Sequence, residues 1–161
     1  MPWNSTFPRR QKNNDRQMER RKESIRVRRR MPAPRQVVYE AWTTSEGFRH
    51  WMCPGDVISA EAELDVRVGG SFRIVMKSPT AEHVHTGIYQ IVDPPAKLVF
   101  TWHAANHSPT RVIVEFIDLG DESEIVITHE EFTIRDVVKR YEGGWTTIAE
   151  KLAAHLAKRP Q

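Results

Sequence analysis

Cysteine occurs once in these 161 residues, at Cys53, so the chain cannot close an internal disulfide. That scarcity points to a reducing compartment, most simply the cytoplasm. No apolar run approaches the roughly 20 residues a membrane-spanning helix requires. The basic N-terminal stretch also lacks the apolar core of a secretory signal, so neither membrane insertion nor export is expected. Glycine is sparse, and Gly69-Gly70 lies between two strands with no helix behind it, which reads as a tight turn and not a phosphate-cradling loop. There is no Cys-x-x-Cys, no Ser-His-Asp ordering and no carboxylate pair that can be placed together. The common nucleophilic and glycoside-cleaving machineries therefore lack their parts.

What the chain does hold is unevenly distributed. The formal charge of +3 splits once it is read along the sequence. Residues 1 to 23 carry seven basic groups against three acidic ones, +4, which leaves 17 basic against 18 acidic, −1, for the rest. A basic tail can hold nucleic acid or an anionic surface by counterion release. The same composition describes a solubilising, flexible leader, and translation starting at Met18 would remove most of it. The expectation adopted is a flexible leader over residues 1–22, no nucleic-acid binding, and one domain over residues 23–161. The hydrophobic fraction of 39% and charged fraction of 28% suit a soluble globular domain with a substantial core.

From Glu23 onward Ile25, Val27 and Met31 alternate with arginines, which reads as a half-buried strand with a basic outer face. Pro32 and Pro34 end it and open a helix presenting Val37, Val38, Ala41 and Trp42 inward. Thr44 or Ser45 caps a second short helix ending near Trp51, and Cys53-Pro54-Gly55-Asp56 is a turn. Six strands follow, expected near Val57–Val66, Gly70–Lys77, His83–Val92, Lys97–Ala104, Arg111–Asp118 and Glu124–Phe132. The last segment, Ile134 to Lys158, is helical by the three- and four-residue recurrence of Val137, Val138, Tyr141, Trp145, Ile148, Leu152 and Leu156. Gly143-Gly144 in its middle costs about 1 kcal/mol per residue against alanine, which suggests a point where something approaches the backbone closely. Strands joined by short turns pair antiparallel, and only this helix is long enough to cover their apolar face. The expected architecture is α+β, a curved antiparallel sheet wrapped on one long helix.

Ala41-Trp42-Thr43, Trp51 and Asp65-Val66-Arg67-Val68-Gly69-Gly70-Ser71-Phe72-Arg73 form the first part of an ordered signature. Gly87-Ile88-Tyr89-Gln90-Ile91, Pro94-Pro95, Leu98-Val99-Phe100-Thr101-Trp102, Thr128-His129-Glu130-Glu131-Phe132 and Gly144-Trp145 complete it. Over Glu23 to about Leu156 this set resembles the bacterial START-like (SRPBCC) proteins named after the ATPase activator of the ninety-kilodalton heat-shock chaperone. The resemblance implies the helix-grip fold of birch-pollen-type allergens, with a cavity between sheet and long helix. The chain departs from the family pattern at Asp121-Glu122-Ser123-Glu124, where a Gly-rich turn followed by Thr is usual.

Among the polar residues, His129 shares a strand face with Ser123, Ile125 and Ile127 and therefore points inward. It could hydrogen-bond a ligand or act as a general base, or it could be satisfied by a backbone carbonyl or by Glu131. His83 and His85 form a His-x-His pair, but no third ligand is evident and no metal is expected. Cys53 has no fixed cationic neighbour closer than His50, so a nucleophilic role is not expected. Tryptophans 42, 51, 102 and 145 supply large apolar surface, most of it core, with enough bulk to line a small-molecule pocket.

These observations favour a protein that binds a small hydrophobic or aromatic molecule, as monomer or homodimer and with no cofactor. Trp51, Met76, His85, Trp102, His129 and Trp145 are expected to line or cap the cavity. Two alternatives stand beside it. One is an enzyme of polyketide cyclase or dehydratase type, with His129 as acid or base and Glu131 or Tyr141 assisting. The other is a protein-interaction module related to chaperone ATPase activators.

Overall fold

The computed structural model describes residues 23–105, 108–132 and 135–159. The leader expected over residues 1–22 lies outside them, as does Ile134. The element order is β1 (Glu23–Met31), α1 (Arg35–Thr43), α2 (Ser45–Phe48), β2 (Ser59–Leu64), β3 (Ser71–Lys77), β4 (Glu82–Asp93), β5 (Lys97–Ala104), β6 (Thr110–Leu119), β7 (Glu122–Phe132) and α3 (Arg135–Ala157). β2 is shorter than expected because Val57 turns back onto the Pro54 carbonyl and Arg67 onto that of Asp65. The strands form one sheet ordered β1-β7-β6-β5-β4-β3-β2. Every neighbouring pair is antiparallel, as short hairpin connections dictate.

The inner face carries Ile25, Val27, Phe72, Ile74, Met76, Leu98, Phe100, Trp102, Val112, Val114, Phe116, Ile125 and Ile127, all buried. Helix α3 closes this face along β1 and β7, while α1 meets β6 and β7 and α2 meets β2. The buried side of α3 is built from Trp145, Ile148, Ala149, Leu152, Ala153 and Leu156, the expected helical stripe. Thr44 caps α2 by accepting the Gly47 amide at 3.1 Å. At the β6–β7 hairpin Leu119 pairs with Glu122 across Gly120, whose φ of +84° suits glycine, so the acidic run still makes a tight turn. Glu122 and Glu124 then ion-pair with Arg30 and Arg28 across the β1 edge.

β7 contains an irregularity that shapes the interior. Its register with β1 passes from Ile25↔His129 to Glu23↔Phe132, three residues on one strand against two on the other. Glu131 takes up the extra residue in a left-handed conformation, φ +73°. Strict alternation would put His129 and Phe132 on opposite faces. The bulge instead buries both, with ring centroids 4.2 Å apart.

Candidate functional site

The space between the sheet and the helices has two unequal halves. Under α1 and α2 it is filled. Trp51 is fully buried, 4.8 Å from the Trp42 ring and 5.0 Å from that of Phe48 by centroids. A gap of only about 10 Å³ remains among Trp42, Phe48, Met52, Phe72, Phe100 and their neighbours, at most the room of a single water molecule. Trp51 therefore sits in packed core.

The other half is open. Met76, His85, Trp102, Tyr141, Gly144, Trp145, Ile148 and Pro54 enclose a small apolar cavity of about 50 Å³. Five of these residues (Pro54, Met76, His85, Tyr141 and Gly144) also line an open cleft of about 690 Å³ between β3–β4 and α3. The cleft reaches the surface past His83, Glu82, Asp56 and Arg140. Its opposite lip is the turn at Pro54, tied to α3 by the Lys151 ammonium, which donates to the Cys53 carbonyl. The close approach expected at the two glycines is not made by the chain itself. A Cβ at Gly143 would meet nothing within 4 Å, and one at Gly144 would meet only the Pro54 Cβ, at 3.6 Å. The glycines instead leave bare helix backbone along the cleft.

His85 and Trp102 stack at the inner end, ring centroids 4.7 Å apart and 27° from parallel. Trp102 is 3% exposed, and its indole N–H has no hydrogen-bond partner; the Nδ1 of His85 is likewise buried and unpartnered. Burial, and after it the neighbouring His83, pulls the His85 pKa down to about 4. The ring is neutral at physiological pH. Burial raises the Tyr141 phenol; Trp102 and then Arg140 pull it back, although the indole N–H falls short of a hydrogen bond. Unpartnered indole N–H groups also occur at Trp42 and Trp51, in the filled half.

His129 lies behind this wall, fully buried and with both nitrogens engaged. The Trp145 indole donates to its Nδ1 at 2.9 Å. An indole can only donate, so Nδ1 is the accepting nitrogen and the neutral ring carries its proton on Nε2. Nε2 donates to the Thr110 hydroxyl at 2.6 Å, and that hydroxyl donates to the Trp102 carbonyl at 3.1 Å. Burial, followed by His85, drives the His129 pKa down to about 3. Every polar atom of the imidazole is satisfied within the fold, which leaves no nitrogen for a ligand or a proton transfer.

Of the residues expected at the site, the structure gathers Met76, His85, Trp102 and Trp145 around one cavity. It places Trp51 in the packed half and His129 one layer behind. Glu131 sits on the bulge, 3.8 Å from the Arg111 guanidinium. Tyr141, Pro54 and Thr110 join the arrangement. Tyr141 was legible from its place on the helical stripe, whereas Pro54 and Thr110 meet the site only through long-range packing. Burial raises the Cys53 thiol pKa, with Lys151 opposing it, so the thiol is not activated. Among the described residues no group of three His, Cys, Asp or Glu side chains is placed to hold a metal ion, and no helix is long and apolar enough to cross a membrane.

Comparison with known proteins adds the following. The model of the family described as Activator of Hsp90 ATPase homolog 1-like protein matches residues 32–157. No curated protein matches the sequence significantly. Among solved structures, the AHSA1 protein from Silicibacter pomeroyi is 22% identical, with a TM-score of 0.70 over 84% of this chain and 98% of its own. A protein from Chromobacterium violaceum is 20% identical, TM-score 0.74, covering 84% of this chain and 99% of that one. A Rhodobacter sphaeroides protein reaches a TM-score of 0.75 at 18% identity, over 84% and 93% of the two chains. At these identities the likeness is one of fold.

Proposed function

The chain belongs to the family of Activator of Hsp90 ATPase homolog 1-like proteins, and on that premise we propose that it binds a small hydrophobic or aromatic molecule between β3–β4 and α3. The observation that carries this reading is the apolar cavity walled by Met76, Trp102, Trp145 and Ile148, which shares its outer residues with a 690 Å³ cleft. The cleft falls in the size range of small-molecule sites, and its inner walls are aromatic and aliphatic as such sites require. The turn at Pro54 and the bare backbone at Gly143-Gly144 give entry from solvent.

An acid–base role for His129 finds no support in this geometry, because both of its nitrogens are occupied. The ligand reading is tested by native mass spectrometry on gently purified protein. A non-covalent adduct of a few hundred daltons that disappears on denaturation is expected. A bare protein mass, together with no uptake of a neutral naphthyl probe by the purified protein, would sink the reading.

A further inference from the structure

We infer that the ligand is an amphipathic molecule that seats a short alkyl group, about the size of an ethyl, in the cavity walled by Met76, Trp102, Trp145 and Ile148, and keeps its polar end at the mouth of the cleft. The inference rests on the small-molecule reading above and adds the shape of the guest and its direction of entry. The surface of the inner cavity is apolar throughout, so neither the indole nitrogen of Trp102 nor a ring nitrogen of His85 opens onto it. A water molecule held there would need about two to four polar partners and finds none. The cavity is therefore dry, and a hydrocarbon group that fills it gives up no hydrogen bond. Its volume sets the size of that group. A dry cavity of about 150 Å³ takes a benzene ring. At that scale the 50 Å³ here holds roughly two or three carbon atoms and stops a ring at its entrance.

The outer cleft is different in kind. Its 690 Å³ is room for a ring system, laid along Pro54 and the bare helix backbone at Gly143-Gly144. The charged side chains stand at its mouth, where Asp56, Glu82 and Arg140 are exposed together with His83. None of these four has an ion-pair partner among the described residues, so each is free to meet a polar group on a guest. Both signs of charge are present, and a hydroxyl, amide or zwitterionic end suits them alike. The same end pushed into the inner cavity would lose its hydrogen bonds to water and gain none. Polarity thus fixes the direction of entry: alkyl tip inward, polar end outward.

Five naphthalenes test this at neutral pH: the 2-methyl, 2-ethyl, 2-tert-butyl and 2-hydroxymethyl compounds, and 6-ethyl-2-naphthol. Affinities would be read from chemical-shift titration of the protein's amide and methyl signals. The ethyl compound should bind about fourfold more tightly than the methyl, the gain of one buried methylene. The tert-butyl compound should bind more weakly than both, although it is the most hydrophobic of the set. The hydroxymethyl compound, the isostere of ethyl with one polar atom, should bind about tenfold more weakly than the ethyl. 6-Ethyl-2-naphthol carries its hydroxyl at the far end and should match 2-ethylnaphthalene, with nuclear Overhauser contacts from its ethyl protons to the methyls of Met76 and Ile148. Three results would each overturn the inference while leaving a small-molecule site in place. They are affinity that climbs with hydrophobicity through tert-butyl, equal binding of the ethyl and hydroxymethyl compounds, and contacts to Met76 and Ile148 from the hydroxyl-bearing ring of the naphthol. Failure of all five to bind would overturn the site reading, and the inference with it.

Discussion

At His129 one imidazole joins three elements: β7 through its backbone, α3 through the Trp145 indole and β6 through the Thr110 hydroxyl. Removing the ring deletes a fully buried aromatic group and leaves two polar partners unsatisfied. His129→Ala should therefore cost about 3–5 kcal/mol, read from urea unfolding. A cost below about 1 kcal/mol would show that the network contributes little. Trp145 belongs to the same network and is 2% exposed, 5.3 Å from Trp102 by ring centroids. Trp145→Phe, which keeps a ring and deletes the donor, should cost about 1–3 kcal/mol. Acid should act on the two buried histidines as well. Their folded pKa values, about 3 for His129 and about 4 for His85, lie below the unfolded value of 6.5, so the unfolded chain binds protons first. Their contribution is complete above pH 6.5 and is lost as the pH falls toward the folded values. Between pH 6.5 and 5, where most carboxylates stay ionised, unfolding free energy should drop by roughly 1 kcal/mol per pH unit for each histidine. A flat profile in that window, with histidine NMR signals titrating near 6.5, would contradict the burial described here.

Helix α3 is locally loosened where it borders the cleft. Gly143 and Gly144 remove side chains from one turn, and just beyond Trp145 the hydroxyls of Thr146 and Thr147 turn back onto the carbonyls of Glu142 and Gly143. Such back-bonding tends to bend helices. Because a Cβ at Gly143 meets nothing, Gly143→Ala should raise stability by about 0.5–1 kcal/mol, measured by thermal or urea unfolding. A loss would reveal a contact or conformation that only glycine allows there. The same turn shows what periodicity could and could not disclose. Leu152, Ile148 and Trp145 announced the helix and its buried face by spacing alone, and the alternation of Ile125, Ile127 and His129 announced the inward histidine. The glycines announced themselves through propensity, yet their use differs from a close approach, since the strand opposite stands off and leaves a cleft. The bulge at Glu131 was not legible. Glutamate is not a residue type that favours positive φ, and the requirement comes from seating Phe132 beside His129.

On the scale of the whole molecule, one curved sheet and one long helix enclose an interior that aromatic packing fills at one end and leaves open at the other. The order of elements, the antiparallel pairing and the wrapping of the sheet on one long helix could be read from turn residues and from the strand and helix periods, because these are local properties; the helix-grip fold itself was implied by the family resemblance. Which tryptophans would close the core and which would border space could not, because Trp51 and Trp102 have the same composition-level signal. Their difference arises from α1 and α2 folding over one end of the sheet alone. Residues 1–17 lack an apolar pattern, so their deletion should change the melting temperature by less than about 2 °C; a larger loss would place them against the domain. The central claim is that the open end is a ligand site, and Gly144 tests it most directly. A leucine there would start 3.6 Å from Pro54 at its Cβ and project into the cavity shared with Trp102 and His85. Titration with the neutral fluorophore N-phenyl-1-naphthylamine should give saturable one-to-one binding in the parent chain. In Gly144→Leu that binding should be lost while the melting temperature holds, since helix propensity favours leucine. Binding that survives the substitution unchanged, or a parent chain that takes up no probe, would contradict the account.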